Sequence, residues 1–323
     1  MILCYNIFGD YVKKCAVIYN PNSGRGLILE HLDELRNILL DNNYETDFFK
    51  TEYHKHAIEI IENLNDDYDL VISAGGDGTF NETVTGNFKR KKRFLLAHIP
   101  VGTCNDVGVM FGYGKDPVIN LKLLLAGEVH NIDICLINDQ PFVYVAGFGK
   151  FLDIPYATPR ELKKKFGYMA YIIEGAKSCF RKIPMYNLTY KINGETYKGV
   201  YSLMLITNAN RIAGINNFYN DVKLDDNKFE VFLCNLPKKI DFVKAVYMLK
   251  TNRINQAPGI YIYKTDKLEI EFDSDVKNNW CIDGEQLEES TNKYKIEIDK
   301  NLKIMMPSKN VDKLFTKKWY RFK

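Results

Sequence analysis

Three glycines and one aspartate crowd into Val71-Ile72-Ser73-Ala74-Gly75-Gly76-Asp77-Gly78-Thr79-Phe80-Asn81-Glu82, and few folds can hold such a run. Leu70-Val71-Ile72 is apolar and predicts a buried strand. Glycine lacks a Cβ, so Gly75, Gly76 and Gly78 reach positive φ and let backbone approach a ligand closely. Thr79 followed by Glu82 fits a capping box and predicts a helix starting at Thr79. Backbone N–H groups at a helix start favour anions, phosphate above all. Asp77 stands out there. A carboxylate beside phosphates binds Mg²⁺, orients water or accepts a hydrogen bond from ribose. The plain alternative is a tight strand-to-helix turn with no ligand.

Two further loops share this character. Cys15-Ala16-Val17-Ile18-Tyr19 predicts a strand ending in the turn formers Asn20-Pro21-Asn22-Ser23-Gly24-Arg25-Gly26. An amphipathic helix is expected next, with Leu29, Leu32, Leu35 and Leu39 at helical spacing. Tyr44 to Lys50 predicts a second strand ending at Thr51, and a short helix is expected over about 54–63. Phe94 to Ile99 predicts another strand, followed by Pro100-Val101-Gly102-Thr103-Cys104-Asn105-Asp106. Strands alternating with helices predict a parallel sheet covered on both faces. Ligands of such sheets bind outside the carboxyl ends of the strands. The three loops are therefore expected to converge on one crevice.

Beyond about residue 128 the pattern shortens, alternates and becomes rich in Tyr, Val, Thr and Ile. Tyr186–Ile192, Asn193-Gly194 and 196–206 predict a hairpin. Further strands are expected at 229–234, 260–263, 268–272, 293–298 and 303–306, with helices at about 160–180 and 240–250. The fold class is thus an α/β N-terminal domain with a helix-covered parallel sheet, joined to a β-rich antiparallel sandwich. The expected limits are 1–128 and 129–306, with the tail 307–323 packing back on the first domain. A chain of 323 residues is long enough for two cores. A net charge of +3 is too small to imply nucleic acid. Seven cysteines without CxxC spacing suggest reduced thiols in a cytoplasmic protein. No run of about 18 apolar residues predicts a membrane span, and Met1 to Tyr11 lacks the basic start of a signal peptide.

Taken together, the three loops resemble the diacylglycerol kinase catalytic-domain family, especially its soluble bacterial members, with sphingosine kinases as relatives. Asn20 to Gly24 is similar to its first nucleotide motif, Gly75 to Glu82 to its signature, and Pro100 to Asp106 to its third motif. Asp283-Gly284-Glu285 matches the segment whose glutamate serves as general base, and Asp226 lies in a turn similar to a metal-binding turn.

The resemblance implies ATP and Mg²⁺ as cofactors and a lipid hydroxyl, most simply that of diacylglycerol, as acceptor. Catalytic roles fall to Glu285 and Asp77. Nucleotide contacts fall to Asn20, Pro21, Ser23, Gly24, Thr51, Gly75, Gly76, Asp77, Gly78, Thr79, Asn81, Glu82, Gly102, Thr103 and Asn105. Asp226 would bind metal with the backbone carbonyls of Lys223 and Lys228. The sequence departs from the family at two places. Asp106 runs into Val107-Gly108-Val109, where an arginine is usual, and Asp226 precedes Asn227, where glycine is usual. Asn tolerates the left-handed conformation that such a turn needs. Alternatives are a kinase for sphingoid or other lipids, an NAD-kinase-like small-molecule kinase, or a non-catalytic nucleotide- or lipid-binding regulator.

Lys89-Arg90-Lys91-Lys92-Arg93 and the basic, aromatic tail from Lys313 to Lys323 are candidate contacts with an anionic membrane surface, or else a solvated loop and a packed terminus. His54 and His56 stand two apart on an expected helix, so they share no face and make no metal pair. Trp280 is expected in the core.

Overall fold

The computed structural model describes residues 12–152, 154, 158, 174, 177–178, 181–212, 214–216, 219, 221–251, 253–273, 280–287, 291–308 and 311–316. Strands Lys13–Tyr19 (β1), Tyr44–Lys50 (β2), Leu70–Gly75 (β3) and Leu96–Pro100 (β4) alternate with helices Leu32–Asp41 (α1), His56–Asn63 (α2), Asp77–Lys89 (α3), Asp106–Met110 (α4) and Pro117–Leu125 (α5). The order β2-β1-β3-β4 is parallel throughout. Every residue of β3 and β4 is buried, as strands covered on both faces must be.

The chain continues through Glu128–Ile137 (β5), Gln140–Phe142 (β6), Val145–Gly149 (β7), Tyr186–Ile192 (β8), Glu195–Tyr201 (β9), Leu203–Thr207 (β10), Arg211–Ile212 (β11), Ile215–Asn216 (β12) and Phe229–Cys234 (β13). Helix Lys239–Lys250 (α6) follows, then Ile260–Thr265 (β14), Lys267–Phe272 (β15), Cys281–Ile282 (β16), Glu285–Gln286 (β17) and Lys293–Met306 (β18). Among the described residues a six-stranded antiparallel sheet runs β14-β13-β10-β7-β16-β17. The long strand β18 joins both halves. It pairs parallel with β4 and antiparallel with β5 and β15, which makes one ten-stranded sheet. A second core fills the space between the sheets, where Phe148, Phe272 and Tyr294 surround the fully buried Trp280.

Several local readings change. The segment expected as one strand, 196–206, is two. It switches sheets at Ser202, whose hydroxyl donates to the Cys234 carbonyl and accepts from the Leu236 amide. The two expected strands at 293–298 and 303–306 are one, with an irregular register between Asp299 and Leu302. The turn formers after β1 lead into a 3-10 helix, Ser23–Glu30, which leaves Leu29 exposed. The Asn193-Gly194 turn has both residues at positive φ, 50° and 83°, as a tight hairpin requires.

The basic run 89–93 is largely engaged within the protein. The Arg90 guanidinium donates to the carbonyls of Ile61, Glu62 and Leu64, the end of α2, and pairs with Asp66. Lys89 pairs with Glu62 at 2.6 Å, and Arg93 grips Asp299 through two bonds of 3.1 Å. These side chains close the C-terminal end of a helix, where cations are favoured. Of the tail, Leu314 is buried, its carbonyl accepts from the Leu224 amide, and Phe315 stacks on His130. Most of the helix expected over 160–180, and the tail from 317, lie outside the described residues.

Candidate functional site

The three loops meet at the carboxyl ends of β1, β3 and β4, in contact at their glycines. Gly24 has φ +53°, and a Cβ there would lie 2.0 Å from the Val101 carbonyl oxygen. A Cβ on Gly102 would lie 2.5 Å from Gly76 Cα. Only glycine fits either place, so each loop becomes a wall of the next. Asn105 secures the third loop. Its Oδ1 accepts from the Gly102 amide at 2.7 Å, its Nδ2 donates to the Gly102 carbonyl at 3.0 Å, and its own φ is +52°.

The helix after the glycine run starts earlier than expected. α3 begins at Asp77 with Gly76 as its cap, and Thr79 lies inside the first turn. No capping box forms, because Glu82 is used elsewhere. Its carboxylate accepts from the amides of Lys55 at 2.9 Å and Ala57 at 3.3 Å, closing the start of α2. Lys55 provides no side-chain cap of its own there. Burial raises the Glu82 pKa, opposed by those two amides and by His54.

Asp77 does for α4 what Glu82 does for α2. Its oxygens accept from the amides of Asp106 at 3.0 Å and Val107 at 3.1 Å. Burial and the neighbouring Asp106 carboxylate push its pKa up to about 7, with the two amides opposing. Asp106 is buried and receives Arg211 Nε at 2.8 Å and the Gly214 amide at 3.1 Å. The positive charge missing after Asp106 in sequence thus arrives from β11, on the far half of the chain. Nothing in local spacing pointed to Arg211.

The second half contributes the turn between β16 and β17. Asp283 (φ +47°) is buried and accepts four donors: the amides of Val143 at 2.6 Å, Tyr144 at 3.0 Å and Val145 at 3.0 Å, and Asn81 Nδ2 at 2.6 Å. Asn81 was expected to contact nucleotide. Two residues past Asp283, Glu285 is exposed, and its Oε1 lies 3.9 Å from where a Cβ on Gly78 would sit. Glu285 has no hydrogen-bond or ion-pair partner among the described residues. Asp77, Glu82, Asp106 and Asp283, which also line the cavity, each accept from backbone amides, while Glu52 at its rim is exposed.

A cavity of about 1080 Å³ opens here. One end is lined by Asn20, Ser23, Gly24, Thr51, Gly76, Asp77, Gly78, Thr79, Glu82, Gly102 and Thr103. Pro21, Gly75, Asn81 and Asn105, grouped with these by sequence, are not among its lining residues. The other end is apolar, walled by Leu203, Leu205 and Phe232 of the six-stranded sheet and by Phe242, Val246 and Leu249 of α6. Lys150 lines it too, its ammonium donating to the carbonyls of Ser178 and Arg181. Asp77 and Glu285 both line this cavity.

The turn 223–228 is outside this cavity. Asn227 has φ +59°, as expected for a residue replacing glycine. Asp226 accepts from the Lys228 amide at 3.1 Å and pairs with Lys264 Nζ at 2.7 Å. Lys223 Nζ donates to the Lys313 carbonyl at 2.7 Å. The Lys264 ammonium is thus the cation beside Asp226 in this structure. Among the described residues, no three His, Cys, Asp or Glu side chains converge as a metal cage.

Glycine-bearing loops and apolar walls thus line one cavity, with Glu285 among its lining residues. Residues 14–137 match the family model of the diacylglycerol kinase catalytic domain. A diacylglycerol kinase of Bacillus subtilis (strain 168) is 28% identical over 306 residues, covering 94% of this chain and 99% of its own. One of Staphylococcus saprophyticus is 28% identical over 277 residues, covering 84% and 89%. A crystal structure of a candidate diacylglycerol kinase from Bacillus anthracis str. Sterne superposes with a TM-score of 0.77 at 23% identity, covering 94% of this chain and 98% of that one. Among the described residues no helix is long and apolar enough to cross a membrane.

Proposed function

We propose that this protein transfers the γ-phosphate of ATP to the primary hydroxyl of a lipid, with diacylglycerol as acceptor and phosphatidic acid as product. The observation that supports this most is the single cavity, polar and glycine-walled at one end and apolar at the other. A dispersed diacylglycerol needs both ends, whereas a small soluble acceptor has no use for the apolar walls. The diacylglycerol kinases to which the chain is similar support the same reading.

The residues present fit a nucleotide triphosphate. Gly24, Gly76, Gly78 and Gly102 leave backbone in reach of its oxygens, with no side chain between. Mg²⁺ carried by the nucleotide neutralises phosphate oxygens and is normally held by one or two carboxylates plus those oxygens. Asp77 is the carboxylate placed to hold it. The lipid hydroxyl oxygen forms a bond to the γ-phosphorus as the bond to the ADP oxygen breaks, and the hydroxyl proton passes to Glu285. A high-pKa alcohol needs that acceptor as attack proceeds. Asp283 and Asn81 position Glu285. Ser23, Thr51 and Thr103 line the polar end as nucleotide contacts.

Labelled ATP, Mg²⁺ and a panel of dispersed diacylglycerol, monoacylglycerol and sphingoid acceptors test the reading. Phosphatidic acid should carry most of the label, and Glu285→Gln should cut turnover by about 10²–10⁴. Label appearing only in a soluble acceptor, or an undiminished rate in Glu285→Gln, would overturn it.

A further inference from the structure

Helix α6 has two apolar faces, and only one is covered. Phe242 and Leu249 turn inward to wall the cavity, and Val246, 49% exposed, lies at its rim. Ile240, Val243 and Tyr247, at positions i, i+3 and i+7, form a stripe on the outer side, 54%, 63% and 67% exposed. Large apolar side chains aligned on one helix face mark an interaction surface more often than chance exposure does. Exposed cations stand along it: Lys244 within the helix, Lys238 at its N-cap and Arg253 just past its C-terminal end. Asp241 lies on the flank away from the stripe, so no acidic residue interrupts it.

We infer that α6 is a membrane-docking helix. Its outer stripe enters the surface of an anionic bilayer, and its inner face forms the wall past which a lipid enters the cavity. Charge and continuity select this occupant. An apolar face rimmed by lysine and arginine complements anionic headgroups, and such helices lie in the interface plane with the apolar face buried. The same twelve-residue helix serves as rim of the acceptor cavity, so docking it brings the cavity mouth to the source of the substrate. The basic run 89–93, by contrast, is largely bonded to α2 and to Asp299. The inference rests on the lipid-kinase reading for its purpose, though not for its test.

The full chain is sedimented with vesicles of phosphatidylcholine, or of phosphatidylcholine and phosphatidylglycerol in equal parts. Wild type should partition to the anionic vesicles and be released by salt, since exposed charges are screened. Val243→Asp with Tyr247→Asp should lower that partitioning by about tenfold. Lys238→Glu with Lys244→Glu should remove the preference for the anionic vesicles. Transfer to a short-chain diacylglycerol monomeric in solution should survive in both variants, which controls for folding. Unchanged partitioning of Val243→Asp with Tyr247→Asp overturns the inference. So does a wild-type dimer, seen by ultracentrifugation without vesicles, that these substitutions dissociate, because the stripe would then face a second copy. Partitioning needs no catalysis. A wild type that docks through α6 but phosphorylates no lipid would sink the kinase reading and leave this one standing.

Discussion

Asp283→Asn should damage both the fold and the chemistry, by an amount the hydrogen bonds let one work out. Asp283 Oδ2 accepts from Val143 N and Asn81 Nδ2, both at 2.6 Å, and Oδ1 from Tyr144 N and Val145 N, both at 3.0 Å. Asparagine keeps the shape but turns one oxygen into an NH₂ group. Either orientation then turns the NH₂ group toward two donors, and both of those bonds are lost. Hydrogen bonds to a charged group contribute about 1.5–3 kcal/mol each, so two lost bonds cost about 3–6 kcal/mol. Burial raises the pKa of this carboxyl, so removing the charge returns part of that sum. A net loss of about 2–4 kcal/mol remains, a large share of the 5–15 kcal/mol typical of a domain. Urea unfolding measures it. Turnover with diacylglycerol should fall with it, since the turn that carries Glu285 loosens. Glu285→Gln should show the opposite division, with stability unchanged and turnover lost, because Glu285 is exposed and unpartnered. A stability change in Asp283→Asn below about 1 kcal/mol would refute the four-donor arrangement, since even one lost charged bond exceeds it.

Three further outcomes are expected. Gly24→Ala should lose about 1–2 kcal/mol from its left-handed backbone alone, and more from the contact with the Val101 carbonyl, with a raised KM for ATP in steady-state kinetics. Asp226→Asn should lower Tm equally with and without Mg²⁺, because its partner is Lys264; a loss that appears only when Mg²⁺ is present would show that the turn binds metal. His98 is fully buried, and burial holds its pKa down to about 4 against 6.5 for a free imidazole. Between those values the unfolded chain binds the extra proton, so stability should fall by about 3 kcal/mol as pH drops from 6.5 to 4. His98→Gln should flatten that limb in acid denaturation.

The sequence carried the loops well because glycine at a strand end has a local physical cause. Gly24, Gly76 and Gly102 are required by contacts that any closely packed trio of strand-end loops would make. Side-chain roles were harder to read, since a carboxylate's partner is set by tertiary placement. Glu82 fits a capping box by spacing yet caps α2, and Asn81 fits a nucleotide contact yet bonds Asp283, 202 residues away. Arg211 compensates for a missing neighbour of Asp106 from 105 positions downstream. The apolar half of the cavity left no motif, because its walls come from β10, β13 and α6, each of which reads as ordinary core.

A common logic runs through these long-range bonds. Asp283 is a buried carboxylate and Asp77 and Glu82 are partly buried ones, and each is held by amides of a segment distant in sequence. A buried carboxylate without donors would be costly, so each of these bonds fixes the relative position of two segments. Glu82 fixes α2 to α3, Asp77 fixes α3 to α4, and Asp283 with Asn81 fixes the second half of the chain to α3. All three relations meet at the first two turns of α3, the helix that starts in the glycine run. Small displacements there would move the phosphate grip and Glu285 together. That coupling is what an in-line transfer needs, because attacking oxygen, phosphorus and leaving oxygen must stay aligned while the proton departs. Asn81→Ala should therefore reduce turnover more than it weakens nucleotide binding. Steady-state kinetics would contradict this if KM for ATP rose while kcat held.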